Sequence, residues 1–89
     1  MVIIKPTELT GTYRTGRLTN ITKAMLVEAI GFAPNAIDDP DKVVNSWSFT
    51  IDDKPCAVWD YKGSHMLNIW SIYDPHNVID KLFIMRNEI

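Results

Sequence analysis

The stretch WSFTIDDKPCAVWDYKGSHMLNIWSIY, residues 47–73, decides the fold that this sequence predicts. Six of the nine aromatic residues lie in it. Apolar side chains at Trp47, Phe49 and Ile51 alternate with polar ones, which is the period-2 pattern of a half-buried strand. Turn residues follow at 52–55 and again at 63–64, so further strands are predicted at 56–62 and 67–73. The stretch therefore predicts a three-stranded antiparallel meander.

The turn at 52–55 determines which side chains share a face of the predicted sheet. A two-residue loop of Asp53 and Lys54 gives the pairs Ile51 with Cys56, Phe49 with Val58, and Trp47 with Asp60. One face then forms the core and consists of Trp47, Phe49, Ile51, Cys56 and Val58. The other face holds Ser48, Thr50, Ala57, Trp59 and Tyr61. A three-residue loop with a bulge would reverse the faces of the second strand, so both registers remain open.

Two helices complete the predicted fold. The first begins after an N-cap at Thr19 or Asn20 and ends at Gly31, which suits the left-handed position after a helix. The second opens with Asp74-Pro75, a cap followed by proline at the first helical position. Residues 2–4 are a possible extra N-terminal strand, and the threonine-rich residues 7–16 are predicted to be a loop. The predicted fold class is α+β, a single small domain over residues 1–89, with a three-stranded antiparallel meander packed with two helices in the order α-β-β-β-α.

Chain length and composition bound the class of protein. A chain of 89 residues has only enough core for one domain, and its single cysteine, Cys56, allows no intrachain disulfide. A homo-oligomer is therefore expected, because subunit contacts are the remaining usual supplement to a small core. No apolar run is long enough for a signal peptide or a membrane span, which predicts a cytoplasmic protein without a membrane partner.

The charges are unevenly distributed along the chain. The net charge is −2, yet the first 23 residues hold Lys5, Arg14, Arg17 and Lys23 against the single acid Glu8. Residues 24–61 are predominantly acidic. An acidic chain without a continuous basic run is a poor candidate for binding duplex nucleic acid, because such binding requires several cations that neutralise phosphates. A local anion site near Arg14 and Arg17 is still compatible with this distribution.

The segment 10–17 combines two glycines, several hydroxyl groups, one aromatic ring and two guanidinium groups. Exposed N–H groups and arginine forks are the groups that hold a phosphate. The segment lacks the Walker and dinucleotide-binding fingerprints, and the alternative is an ordinary solvated loop. Arg14 and Arg17 are predicted to hold the phosphate, Tyr13 is a candidate to stack on a base, and Thr12 and Thr15 are predicted to complete the polar contacts.

Trp59, Tyr61 and Lys62 form the second predicted part of the site. A nucleotide base stacks on a tryptophan or tyrosine ring with about 1 to 3 kcal/mol, and polar neighbours contact its edge. Packing of the same rings against a helix or a sister subunit is the more common use of such a pair, and this alternative stays open.

Metal binding and catalysis are not predicted. The aspartates at 38, 39 and 41 match no calcium-loop spacing and are explained as caps and turns. His65 and His76 have no partner at ligand spacing, and a cysteine buried at Cys56 would be inert. No cofactor is therefore expected.

Several segments together resemble small uncharacterised proteins encoded by bacteriophages. The resemblance covers residues 30–83 and departs at 65–69, where this chain is longer. It rests on the segments IGFAPN (30–35), DDP (38–40) with KV (42–43), SWSF (46–49), CAVWDYKGS (56–64) and WS (70–71) before a proline-started helix. The resemblance implies a setting in the host cytoplasm. Such phage proteins often counter host defence, either by sequestering a nucleotide signal or by blocking a host protein.

The sequence thus leads to a hypothesis with two alternatives. The hypothesis is a non-enzymatic, homo-oligomeric protein that binds and sequesters a small phosphorylated ligand, either a nucleotide or a cyclic nucleotide signal. The first alternative is a protein–protein inhibitor in which Trp59 and Tyr61 anchor a host protein. The second is a small enzyme acting on nucleotides, although no set of acid, base and nucleophile is apparent.

Overall fold

Five antiparallel strands form a single sheet in a computed structural model that describes residues 3–9, 11–36, 43–61 and 64–84. The strands are β1 (Ile4–Pro6), β2 (Gly16–Thr19), β3 (Val43–Ile51), β4 (Lys54–Tyr61) and β5 (Ile69–Tyr73). The helices are α1 (Lys23–Ile30) and α2 (Lys81–Ile84), and a single 3₁₀ turn spans Ser64–Leu67. The strand order across the sheet is β1-β3-β4-β5-β2.

The predicted three-stranded meander with two packed helices is therefore wrong, because the protein is mostly β with small helices. The central order β3-β4-β5 is the predicted meander, but β1 and β2 extend it at its two edges. Both edge strands are short, and β2 has only Leu18 as an apolar side chain. Each pairs with a strand far away in the sequence, so no local pattern marks it. Part of β2 falls in residues that were predicted to form a loop and a helix cap.

The hairpin between β3 and β4 has the predicted faces but a different register. Asp52 and Asp53 form the turn with positive φ angles of 51° and 69°, and Ile51 pairs with Lys54. Positive φ at both positions matches a type I′ turn, whose twist suits a tight hairpin. Phe49 therefore pairs with Cys56 and not, as predicted, with Val58. The observed pairing differs from the predicted one by two residues. Because side chains on a strand alternate with a period of two residues, this shift leaves every side chain on its predicted face.

Helix α1 begins later than predicted and ends as predicted. Its N-cap is Thr22, whose hydroxyl accepts the Met25 N–H at 3.1 Å, so the predicted cap at Thr19 or Asn20 is wrong. Thr19 is the last residue of β2 and pairs with Ile69. Gly31 ends the helix with φ 102°, and its N–H donates to the Val27 carbonyl at 2.8 Å. This is the left-handed termination predicted from the sequence.

Two fully buried tryptophans hold α1 against the sheet at both of its ends. The indole N–H of Trp70 donates to the Ile21 carbonyl at 2.6 Å, just before the helix. The indole N–H of Trp47 donates to the Phe32 carbonyl at 2.9 Å, just after it. The two rings contact each other edge to face, with centroids 5.5 Å apart. Each ring thus fills the core and satisfies one backbone carbonyl beside the helix.

The chain after β5 packs on the same side of the sheet as α1. The Asp74 carboxylate accepts the N–H groups of Val78 at 2.8 Å and Ile79 at 3.1 Å. Asp74 therefore closes a turn, and the predicted helix start at Asp74-Pro75 is wrong, because α2 begins only at Lys81. The core cluster consists of Leu26, Ile30, Trp47, Phe49, Ile51, Cys56, Val58, Trp70, Val78, Ile79 and Leu82.

We expect Trp70→Phe to destabilise the fold by about 2 to 4 kcal/mol, because it removes buried ring area and leaves the Ile21 carbonyl without its donor. Trp59→Phe is the matched control, since Trp59 lies outside the core cluster, and should cost less than about 1 kcal/mol. Urea denaturation of both variants measures this difference. Equal destabilisation by the two substitutions would contradict the assigned role of Trp70.

Candidate functional site

The face of the sheet opposite the core presents a distinct set of side chains, which we call the open face. Its members follow from the strand pairing and from alternation with core residues. They are Lys5, Arg17, Thr19, Ser46, Ser48, Thr50, Pro55, Ala57, Trp59, Tyr61, Ile69, Ser71 and Tyr73. The two described helices both contribute to the core cluster, through Leu26 and Ile30 of α1 and Leu82 of α2. Both helices therefore lie on the other side of the sheet.

Four aromatic residues follow one another across the open face, and we call them the aromatic stripe. Tyr61 and Trp59 are two residues apart on β4, and Tyr73 lies diagonally from Trp59 on β5 because it pairs with Ala57. Tyr13 comes from the coil before β2 and contacts Tyr73 edge to face, with ring centroids 5.3 Å apart. Tyr13 is 62% exposed and Tyr61 44% exposed, while Trp59 and Tyr73 are half-buried. The stripe thus offers ring surface to solvent.

Short side chains surround the central rings of the stripe. Ser46 and Ser71 pair with Trp59 on its two sides, and Ser48 and Tyr73 pair with Ala57. Ala57 is buried, yet it does not belong to the core cluster. Ser46, Ser48 and Ser71 are buried as well, at 7%, 7% and 9% exposure. The centre of the open face therefore presents ring surface of the stripe to solvent, and not the short side chains between the rings.

The charges on the open face are all positive among the described residues. Arg17 lies in the same cross-strand row as Trp59, separated from it only by Ser71, and Lys5 lies on the opposite edge strand. None of the open-face positions is an aspartate or glutamate. The described acids lie elsewhere, in turns, in coil, on α1 or on the core side: Glu8, Glu28, Asp52, Asp53, Asp60, Asp74 and Asp80. A chain of net charge −2 thus presents one cationic, aromatic face.

The structure brings together only part of the set predicted to bind a phosphorylated ligand. Arg17, Trp59 and Tyr61 lie on the open face, and Tyr13 reaches it through Tyr73. The Thr15 hydroxyl accepts the Asp74 N–H at 2.9 Å and donates to the Ile72 carbonyl at 3.4 Å, so it anchors the coil to β5.

Of the remaining predicted residues, Thr12 and Arg14 are exposed in the coil that carries Tyr13 and are not members of the open face. Lys62 lies outside the described residues, as do the aspartates at 38, 39 and 41.

Sequence reasoning missed Tyr73 and Ser71 as open-face residues. The alternation in β5 carried the signal, since Trp70 in the core requires Ser71 and Tyr73 on the other side. It missed Lys5 because β1 was placed too early in the chain. The proximity of Arg17 to Trp59 had no local signal at all, because it depends on β2 pairing with β5.

Cys56 is fully buried, as predicted, and contributes to the core and not to a site. Its Sγ lies 3.7 Å from the Lys54 carbonyl oxygen and 3.8 Å from Oδ1 of Asp74. Desolvation, followed by the nearby Asp74 carboxylate, raises the pKa of the thiol to about 12. The thiolate, which is the nucleophilic form, is therefore scarce at neutral pH. In the described part of the chain, no three His, Cys, Asp or Glu residues are grouped so as to hold a metal ion.

We expect Cys56 to resist a thiol-specific disulfide reagent at pH 8 in the native state and to react fully in denaturant. The raised pKa keeps the group protonated, and burial blocks access. The labelling rate should follow global unfolding as urea is added. A fast stoichiometric reaction of the folded protein would contradict this placement.

Comparisons with known proteins found no match for this chain among protein-family models, curated proteins or solved structures. Neither of the two described helices has the length and apolar character needed to cross a membrane. The assignment of function therefore depends on the chemistry of the open face.

Proposed function

We propose that this protein binds a small phosphorylated ligand with a planar base, a nucleotide, on the open face of its sheet and holds it without turnover. The observation that supports this proposal is the cross-strand row of Arg17, Ser71 and Trp59 on a face whose described positions include no aspartate or glutamate. An aromatic ring and a guanidinium group are the two components that a base and its phosphate require.

The geometry of the row suits a ligand of nucleotide size. Neighbouring strands are about 4.8 Å apart, so the backbones of Arg17 and Trp59, two strands apart, are separated by about 10 Å. Ser71, which lies between them, is short but buried, so the ligand would contact the exposed Arg17 side chain and the Trp59 ring rather than the Ser71 hydroxyl. A base stacked on Trp59 would direct its phosphate towards Arg17, whose planar fork donates two parallel hydrogen bonds to phosphate oxygens.

Placement on central strands gives the proposed site a rigid base. Trp59 lies on β4, which is paired on both sides, and its neighbours Ser46 and Ser71 are held by the same hydrogen-bonded ladder. Rigid presentation reduces the entropy lost on binding. In the phage setting that the sequence resemblance implies, such a protein would act by sequestering a nucleotide signal in the host cytoplasm.

We expect Trp59→Ala to weaken nucleotide binding about 5- to 150-fold, which corresponds to the loss of one base–aromatic stack. Arg17→Ala should weaken binding about tenfold or more through loss of a charged hydrogen bond. Lys23→Ala is the matched control, because it removes the same charge from α1, on the opposite side of the sheet. Isothermal titration calorimetry with linear and cyclic nucleotides measures all three variants.

The proposal fails if the wild-type protein binds no member of that panel. It also fails if Arg17→Ala and Lys23→Ala weaken binding equally, since the effect would then reflect net charge and not the open face.

A second function, inhibition of a host protein, is favoured by one separate observation. Met66 is 81% exposed and Leu67 is 72% exposed, in the 3₁₀ turn that follows β4, whose last residue is the exposed Tyr61. Exposed apolar side chains close together are typical of protein contact surfaces. Native mass spectrometry of the purified protein distinguishes the two functions: a retained nucleotide supports the first, and a stoichiometric protein partner supports the second. The same spectrum reports the number of subunits.

A further inference from the structure

The aromatic stripe is longer than one nucleotide, and we infer that its ligand is a single-stranded oligonucleotide with at least two bases. This inference rests on the proposed function and specifies its ligand class. A mononucleotide has only one base, which stacks on Trp59. The stripe offers further rings that this ligand would leave unused. Those rings are Tyr61, Tyr73 and Tyr13.

The spacing of the rings requires an extended strand. Residues two apart on one strand are separated by about 6.6 Å, which applies to Trp59 and Tyr61. Diagonal neighbours on adjacent strands are about 7 to 8 Å apart, which applies to Trp59 and Tyr73. Bases stacked in a duplex rise by only about 3.4 Å per nucleotide. Tyr13 and Tyr73 contact each other edge to face with centroids 5.3 Å apart, so they form one stacking position. One base on Trp59 and one on a neighbouring position therefore require about twice the duplex rise, and only an unpaired strand with separated bases provides it.

A sheet face with exposed rings is a suitable surface for such a strand. Unpaired bases stack on aromatic side chains of a sheet and leave their edges free for polar contacts. Around the stripe, Ser46, Ser48 and Ser71 are buried, so the rings and the cations, and not these hydroxyl groups, are the groups available to a strand.

The charges decide between an oligonucleotide and other extended ligands. Aromatic rings also stack on sugars, but an uncharged oligosaccharide would not be stabilised by the positive charges of Arg17 and Lys5. A phosphodiester backbone passing beside Arg17 would accept charge-assisted hydrogen bonds from its guanidinium group. Because the described open face carries only these two cations, few phosphates are contacted and the salt dependence should be shallow.

The same charges argue against a second copy of this chain as the occupant of the open face. Two copies related by a twofold axis would place identical faces against each other. The described positions of each face carry Arg17 and Lys5 and no aspartate or glutamate, so like charges would meet. An anionic strand provides the complementary charge that a second copy lacks.

The test is a length series of single-stranded adenine ribonucleotides: AMP, the dinucleotide pApA, the trinucleotide pApApA and an abasic trimer with the same phosphates. We expect pApA to bind at least fivefold more tightly than AMP in calorimetry, because a second base is stacked. Tyr13→Ala and Tyr73→Leu should each weaken trinucleotide binding at least fivefold and leave AMP binding within twofold. Arg17→Ala should reduce the slope of log K against log salt by about 0.7.

Two variants keep the test independent of folding defects. Tyr13 is an exposed coil residue, so Tyr13→Ala leaves the sheet ladder intact even if Tyr73→Leu perturbs β5. Lys23→Ala again controls for net charge and should bind every probe as the wild type does.

The other outcomes separate this inference from the proposed function. Equal affinity for AMP and the longer probes overturns the inference but leaves nucleotide binding in place. Equal affinity for the abasic trimer and pApApA also overturns it, since stacking would then contribute nothing. Failure to bind any member of the series and the nucleotide panel overturns both.

Discussion

The contact between Trp47 and Trp70 is the constraint on which the rest of the structure depends. The two indoles are fully buried, touch edge to face, and donate hydrogen bonds to carbonyls on either side of α1. Because Trp47 lies on β3 and Trp70 on β5, the pair also spans β4 between them. It therefore fixes which side of the sheet receives the helix. Alternation along the strands then places Trp59, Tyr61 and Tyr73 on the other side.

The open face has a composition that the stability of the fold does not require. A tryptophan that remains partly exposed at the centre of a sheet gives up part of its possible hydrophobic stabilisation. Its neighbours Ser46 and Ser71 are too small to cover it. The proposed function explains this arrangement, since a ring that stacks on a ligand must stay accessible. The seven acids that the structure describes all lie off this face, which has the same explanation, because a carboxylate beside Arg17 would compete with a phosphate.

Sequence reasoning predicted the side-chain faces better than the topology. The alternation around Trp47, Phe49 and Val58 determined the core face correctly, although the predicted pairing was two residues out of register. Alternation with a period of two is a local property of each strand, so a register error of two residues does not change which face a side chain lies on. The pairing itself depends on the turn, where two aspartates with positive φ replaced the predicted loop of Asp53 and Lys54.

The rest of the topology was not accessible from local patterns. β1 and β2 are short edge strands whose partners lie far away in the sequence, and a polar strand such as β2 resembles a loop. The same limitation applies to the candidate site. Arg17 and Trp59 were each predicted to bind ligand for separate reasons, and only the pairing of β2 with β5 places them in one row. Residues 11–15 are exposed coil, as the alternative of a solvated loop expects, and within the segment 10–17 only Gly16 and Arg17 lie in β2.

Binding on the open face is tested most directly by a two-dimensional amide NMR titration of the ¹⁵N-labelled protein with pApA. We expect the largest chemical-shift changes at the Trp59 indole N–H and at the backbone amides of Arg17 and Ser71. The indole N–H signals of Trp47 and Trp70, which are hydrogen-bonded in the core, should stay unchanged. Chemical-shift changes confined to α1 or to the 3₁₀ turn at Ser64–Leu67, with an unaffected Trp59 indole, would contradict binding on the open face.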